Sequence, residues 1–213
     1  MISSKNAIYF KLSEYFKSRL NGQKGCNMKY VAIFLAVLPA CNTSNSFKCA
    51  QKGDRIDSLD GVYVYDNGNM YTVSGRNMTA DGYNLGLKYQ CVEFVKRYYY
   101  EHYHHKMPNS YGNAKDFFNP SCSDGSYNPD RALLQFKNGS NTLPKKGDLV
   151  VFSGTLFNAY GHVAIVVSNY KKNNVEIIQQ NCFTSRETYQ LSKTANKYTI
   201  NESGILGWLR IKE

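Results

Sequence analysis

His162 to Asn181 reads HVAIVVSNYKKNNVEIIQQN, and its two β-branched runs with a polar link between them decide the fold class. His162 to Ser168 and Val175 to Asn181 have the composition of strands, and Asn169 to Asn174 is rich in residues that turn a chain. Working outward, Leu149 to Phe152 follows a Pro144 to Asp148 turn and reads as another strand, and Ile205 to Ile211 reads as a closing one. Upstream, Cys91 to about Tyr103 predicts a helix, because Cys91, Phe94, Val95, Tyr98 and His102 recur at helical spacing while Lys96, Arg97 and Glu101 point elsewhere. The Pro-, Asn- and Gly-rich stretch from Met107 to about Asn141 is a long loop, with short helices expected near Ala114 to Phe118 and Arg131 to Phe136. A helix feeding consecutive strands through short links, without helix and strand alternating, predicts an α+β fold with an antiparallel sheet.

Two residues on these elements have the chemistry of nucleophilic catalysis. Cys91 opens the helix, where the helix dipole and a nearby imidazolium favour a thiolate and draw its pKa below the ordinary thiol value. His162 opens a strand after the flexible Asn158 to Gly161, and neutral imidazole has the pKa to take a thiol proton and return it to a leaving amine. A third group must hold the imidazole by its other nitrogen. Strand parity puts Val175, Ile177, Gln179 and Asn181 on one face and Glu176 on the other. Pairing Ser168 with Val175 sets Asn181 opposite His162, and a register tighter by two residues sets Gln179 there instead. Both candidates are amides, which orient an imidazole without adding negative charge.

Gly86 to Arg97 (GLKYQCVEFVKR), Gly147 to Phe152 (GDLVVF), Gly161 to Val166 (GHVAIV), Gln179 to Asn181 (QQN) and Gly204 to Arg210 (GILGWLR) resemble, in this order, the motifs of the CHAP family, the cysteine, histidine-dependent amidohydrolases/peptidases. The resemblance spans about Gly61 to Glu213. It implies a papain-like fold close to the NlpC/P60 group, with N-terminal helices packed on a central antiparallel sheet. It further implies a thiolate at Cys91, a base at His162 and an acyl-enzyme released by water; no cofactor is expected. Members mostly cut amide bonds in peptidoglycan, and a branch includes the amidase of glutathionylspermidine metabolism. Gln179 stands where a carboxylate is common, which leaves Asn181 as the preferred orienter of His162. The backbone N–H of Cys91 is the natural oxyanion donor, with the Gln90 side chain as a second.

The N-terminal portion reads as an address. Lys29 and Tyr30 precede the apolar run Val31 to Ala40, which is too short to span a bilayer and ends in Leu38, Pro39, Ala40, Cys41. It resembles a bacterial lipoprotein signal in which Cys41 is lipidated, with ordinary secretion as the alternative. The expected organisation is therefore an upstream extension over 1–27, with Met28 a candidate start, a signal over 28–41, a polar tether over 42–60 and the catalytic domain over 61–213. Cys49, Cys122 and Cys182 would remain as spare thiols, and Cys122 with Cys182 is the disulfide pair to test.

Composition narrows the partners. The 213 residues, 42% hydrophobic and 20% charged, suit one globular domain with a leader rather than a disordered or multi-span chain. The net charge of +10 is shared, since residues 1–41 carry six Lys and Arg against Glu14 and so account for +5. No basic run with interleaved aromatics appears, so nucleic acid is not an expected partner. Eighteen tyrosines suit a half-wet binding groove. His102, His104 and His105 lack the spacing of a metal site, and neither Asp66 to Asn69 nor Asp124 to Asp130 has the pattern of a calcium loop. The function expected is a monomeric peptidoglycan amidase or endopeptidase of the bacterial cell envelope, anchored by lipid or secreted. The alternatives are an amidase on a peptide-polyamine conjugate and a non-catalytic lipoprotein that binds peptidoglycan peptides.

Overall fold

The computed structural model describes residues 50–168 and 173–212. The upstream extension, the signal, Cys41 and Cys49 lie outside the described residues. Two hairpins come first. β1 (Arg55–Leu59) pairs with β2 (Val62–Tyr65), and β3 (Arg76–Met78) with β4 (Asn84–Leu87). The helix α1 (Cys91–Tyr103) follows, then a 3-10 turn (Ala114–Phe117).

The remaining strands are β5 (Ser126–Asn128), β6 (Leu133–Lys137), β7 (Leu149–Phe152), β8 (His162–Val166), β9 (Asn174–Ile178), β10 (Arg186–Thr194), β11 (Lys197–Ile200) and β12 (Ile205–Arg210). They form one eight-stranded sheet in the order β11-β10-β9-β8-β7-β12-β6-β5, antiparallel at every pairing. The α+β class and the antiparallel sheet are those read from the sequence.

Period-two alternation divides the core in two. Leu149, Val151, Val163, Ile165, Ile178 and Leu209 turn one way and pack against Phe94, Val95, Tyr98 and Tyr99 of α1. Val150, Ala164, Val166, Val175, Ile177 and Trp208 turn the other way, where Phe136, Leu191 and Ile200 meet them. The sheet curls around this second cluster. Tyr198 of β11 bridges to Ser140, just past β6, and Gly139 N–H donates to the Tyr198 carbonyl at 2.9 Å, so one edge of the sheet reaches back to the segment after β6.

Three expectations change. Arg131 to Phe136 is not helical, since Leu133–Lys137 is β6, held between β12 and β5. The segment expected to be a tether through residue 60 contains β1, which Asp57 ties to the far side of the fold by accepting hydrogen bonds from Ser185 and Arg186. The helical layer is a single α-helix among the described residues, and the two hairpins take the place of further helices. They also explain why α1 is buried nearly all round. Glu93, Lys96 and Arg97, on the side away from the sheet, are as covered as Phe94.

Candidate active site

Cys91 is the first residue of α1, and Gln90 before it is extended, at φ −87° and ψ 161°. Gly86, at φ +127°, brings the chain against the first turn, where a Cβ would lie 3.2 Å from the Glu93 nitrogen. The turn is then pinned from across the fold by Gln180, which is almost wholly buried. Its Nε2 donates to the Gln90 carbonyl at 3.0 Å and to Glu93 Oε2 at 2.9 Å, and its Oε1 accepts the Tyr65 N–H at 2.8 Å. Glu93 Oε1 in turn accepts from Arg97 Nε at 2.7 Å and Asn77 Nδ2 at 2.8 Å. One amide thus joins the strand that carries the imidazole's partner to the helix that carries the thiol.

His162 opens β8 opposite Phe152 of β7. Gly161 precedes it at φ +75°, and a Cβ there would fall 2.5 Å from the Phe152 carbonyl oxygen, so only glycine lets the loop enter the strand. The ring's Nε2 lies 2.9 Å from Gln179 Oε1. Gln179 Nε2 donates to the Thr184 carbonyl at 3.1 Å, which fixes the amide with its oxygen towards the ring. His162 therefore carries its proton on Nε2 and leaves Nδ1 as the basic nitrogen. The Cys91 sulfur meets the backbone N–H of Val163, the residue after His162, and those of Val92 and Cys91 itself. The sulfur is thus set against the residue that follows His162, at the end of the sheet where β8 begins.

Loss of water governs both groups, each of which is half-buried. It pushes the Cys91 thiol up to about 11, against the pull of the Val163 and Val92 N–H groups. It pushes His162 down to about 4, against the Gln179 hydrogen bond and the charge of Glu187. The thiol pKa expected to fall at a helix N-terminus is instead raised, because desolvation outweighs the dipole. At neutral pH the pair rests as thiol and neutral imidazole, so the sulfur can lose its proton to His162 as it attacks.

Asn181 does not orient the imidazole. The register between β8 and β9 is the one expected, with Ile165 opposite Ile178 and Val166 opposite Ile177. However, β9 ends at Ile178 and Asn181 sits at φ +59°, so the chain has turned away before reaching the position facing His162. Gln179, a diagonal neighbour on the same face, reaches the ring instead. Asn181 Nδ2 donates to Gln90 Oε1 at 2.6 Å and to the Met70 carbonyl at 3.0 Å. Gln90 Nε2 donates to the Thr72 carbonyl at 2.9 Å, which leaves its second hydrogen for another acceptor. Sequence reasoning gave Gln180 no role; its place on the strand face opposite to Gln179 and Asn181 was the available signal.

The rim of the site is apolar. Tyr71 and Val73 lie on the loop that holds Gln90 and Asn181, Leu156, Phe157 and Tyr160 on the loop before His162, and Phe183 on the loop after Gln179, all exposed. Cys182 stands exposed beside Phe183. Cys122 is instead near Tyr127 at the β5 end of the sheet, and it is not joined to Cys182 by a disulfide. His105 Nε2 pairs with the Arg131 carbonyl at 2.8 Å, and His102 lies 3.8 Å from Asp60, so both have structural partners. Among the described residues no three His, Cys, Asp or Glu side chains converge as metal ligands.

Residues 80–181 match the family model described as CHAP domain. This part of the chain is a CHAP domain. The match encloses Cys91, His162 and Gln179 and places the domain in the amidohydrolase/peptidase class. The bifunctional glutathionylspermidine synthetase/amidase of Escherichia coli (strain K12) is 31% identical over 148 residues, 63% of this chain and 23% of that protein. The trypanothione synthetase of Crithidia fasciculata is 26% identical over 105 residues, 49% of this chain and 16% of that protein. The chain thus spans less than a quarter of the length of either relative. The crystal structure of Ly7917 aligns at a TM-score of 0.33 and 16% identity over 58% of this chain and 53% of that one, too distant to carry an argument.

Proposed function

We propose that the chain is a thiol amidohydrolase in which Cys91 is the nucleophile and His162 the general base. The observation that carries this reading is the Cys91 sulfur seated against the N–H of Val163, the residue after His162, whose imidazole Nε2 is held by Gln179. As the sulfur attacks an amide carbonyl, its proton passes to His162 Nδ1. The tetrahedral oxyanion is met by the Cys91 N–H and by the free hydrogen of Gln90 Nε2. His162 returns the proton to the departing amine nitrogen and leaves a thioester on Cys91. Water, deprotonated by the same nitrogen, then hydrolyses the thioester and frees the carboxylic acid.

The substrate class we favour is peptidoglycan peptide, cut at the envelope face of a bacterium. Two features support it: the signal-like run ending at Cys41, and the exposed apolar and tyrosine side chains on the loops next to the site residues, which suit an extended, partly apolar chain. Among the described residues no helix is long and apolar enough to cross a membrane. A lipid at Cys41 is the attachment this reading includes. The second reading, an amidase on a peptide-polyamine conjugate, is supported by the synthetase/amidase relative.

Digestion separates the two. Purified cell walls and defined muropeptides, analysed by mass, should yield new amines with the native chain and none with Cys91→Ala. Cleavage by Cys91→Ala refutes the mechanism. Hydrolysis of glutathionylspermidine with intact muropeptides selects the second reading.

A further inference from the structure

We propose that Glu187 is a positioning residue for the reaction, a carboxylate that acts on His162 through the Gln179 amide and takes the place of a carboxylate in direct contact with the ring. The proposal rests on the reading of His162 as the base.

The geometry is a relay on one face of the sheet. Glu187 of β10 pairs with Ile177 of β9, and Gln179 is two residues further on, so both side chains turn to the face that His162 occupies. His162 Nε2 lies 2.9 Å from Gln179 Oε1, and Gln179 Nε2 reaches Glu187 Oε2 at 3.5 Å while donating to the Thr184 carbonyl at 3.1 Å. Tyr189, on the same face of β10, hydrogen-bonds Glu187. Its ring lies 6.3 Å from that of Phe152, which lies 5.6 Å from the His162 imidazole, so aromatic rings wall the relay. Gln179 is almost wholly buried, and such an amide must keep both ends satisfied.

A neutral amide alone offers the imidazolium only a dipole. With a carboxylate behind its N–H, the amide is polarised so that its oxygen becomes a better acceptor, and a full negative charge lies one side chain away in a setting partly shielded from water. Burial depresses the His162 pKa, and the Gln179 hydrogen bond and then the Glu187 charge oppose that depression. The other titratable or charged groups around this strand mouth are Cys91 on α1, Lys115 on the 3-10 turn against Gly161, Cys182 and Tyr160 on the flanking loops, and Tyr189 on β10. Among these the carboxylate is the group whose charge favours a protonated ring.

The test compares the native chain, Glu187→Gln, Glu187→Asp and the double variant Gln179→Glu/Glu187→Gln. The His162 pKa is measured by NMR titration, and kcat and KM are measured on a cleaved amide. Glu187→Gln should lower the His162 pKa by roughly 0.5 unit or more. It should also lower kcat by about tenfold with KM little changed, the pattern of a lost transition-state interaction. Gln179→Glu in that background should restore both, because the charge then touches the ring directly. An unchanged His162 pKa and kcat in Glu187→Gln overturns the proposal. Should Glu187→Gln fail to fold, Glu187→Ala takes its place against Glu187→Asp, which keeps the charge and should hold the His162 pKa above that of Glu187→Ala; equal values overturn the relay. A His162 pKa that moves as stated in a chain that cleaves no amide leaves the relay standing and removes the hydrolase reading instead.

Discussion

At the scale of single residues, two opposing influences act on the sulfur, and their magnitudes decide its resting state. A helix N-terminus contributes about 0.3–1 kcal/mol to an anion when exposed, whereas loss of water around a buried thiolate moves a pKa by up to several units. Burial wins at Cys91, whose thiol stands near 11, and likewise at His162, which stands near 4. The alkylation profile of Cys91 follows. Iodoacetamide labelling, read peptide by peptide by mass spectrometry, should climb by about tenfold per pH unit from neutrality towards 11. A flat profile from pH 5 upward would instead mean a preformed thiolate–imidazolium pair. Turnover should persist down to acid pH and fall as His162 gains its proton near 4, since only the neutral ring can accept from the thiol. Cys91 and His162 were legible because each combines a reactive group with the end of a regular element. The orienter was legible only as a pair of alternatives, since parity names the face, but a strand's last residue is set by where its partner stops pairing.

At the scale of elements, α1 and the strands β7, β8, β9 and β12 were readable because burial gives them periodic apolar residues. The strand β10 was not. Its sequence RETYQLSKT has a single fully buried side chain, Leu191, and it is a strand because β9 and β11 pair with both of its edges. The short run of β6, LLQFK, fits a helix turn or a strand equally in apolar spacing, and only its neighbours β5 and β12 choose. The join between α1 and β9 is likewise tertiary, made by Gln180. Truncation in Gln180→Ala removes the partner of the part-buried Tyr65 N–H and of the buried Glu93 Oε2. The expected loss is about 2–4 kcal/mol of folding stability by urea denaturation, from unpaired buried polar groups. Turnover should drop further than stability explains, because the first turn that carries Cys91 loses its tie to the strand that carries Gln179. Wild-type kcat in a destabilised Gln180→Ala would show that the tie serves the fold alone.

At the scale of the whole molecule, stability has an acid limb and an alkaline limb with separate owners. Burial raises Asp57, but hydrogen bonds from Arg186 and Ser185 outweigh it and leave the carboxyl lowered; Asp60 is lowered in the same way by Lys146 and Tyr98. A carboxyl lowered by folding stabilises the fold above its ordinary value of 3.8, and that contribution is lost as pH falls through the lower, folded value. Lys96 controls the other limb. Its Nζ is buried, donates to the carbonyls of Asn84 and Ser110, and lies 4.6 Å over the Tyr83 ring. Desolvation first, then the charges of Arg131 and Arg76, bring its pKa from 10.5 down to about 7. Between these two values the unfolded chain holds a proton on Lys96 that the folded chain has released, so stability rises with pH across that window. Urea midpoints taken at pH 6, 8 and 10 should therefore increase, and Lys96→Met should flatten the rise while gaining most over the native chain at pH 6. A Lys96→Met midpoint that tracks the native chain at all three pH values would mean that the ammonium stays protonated inside the fold, held by its two carbonyls and the ring.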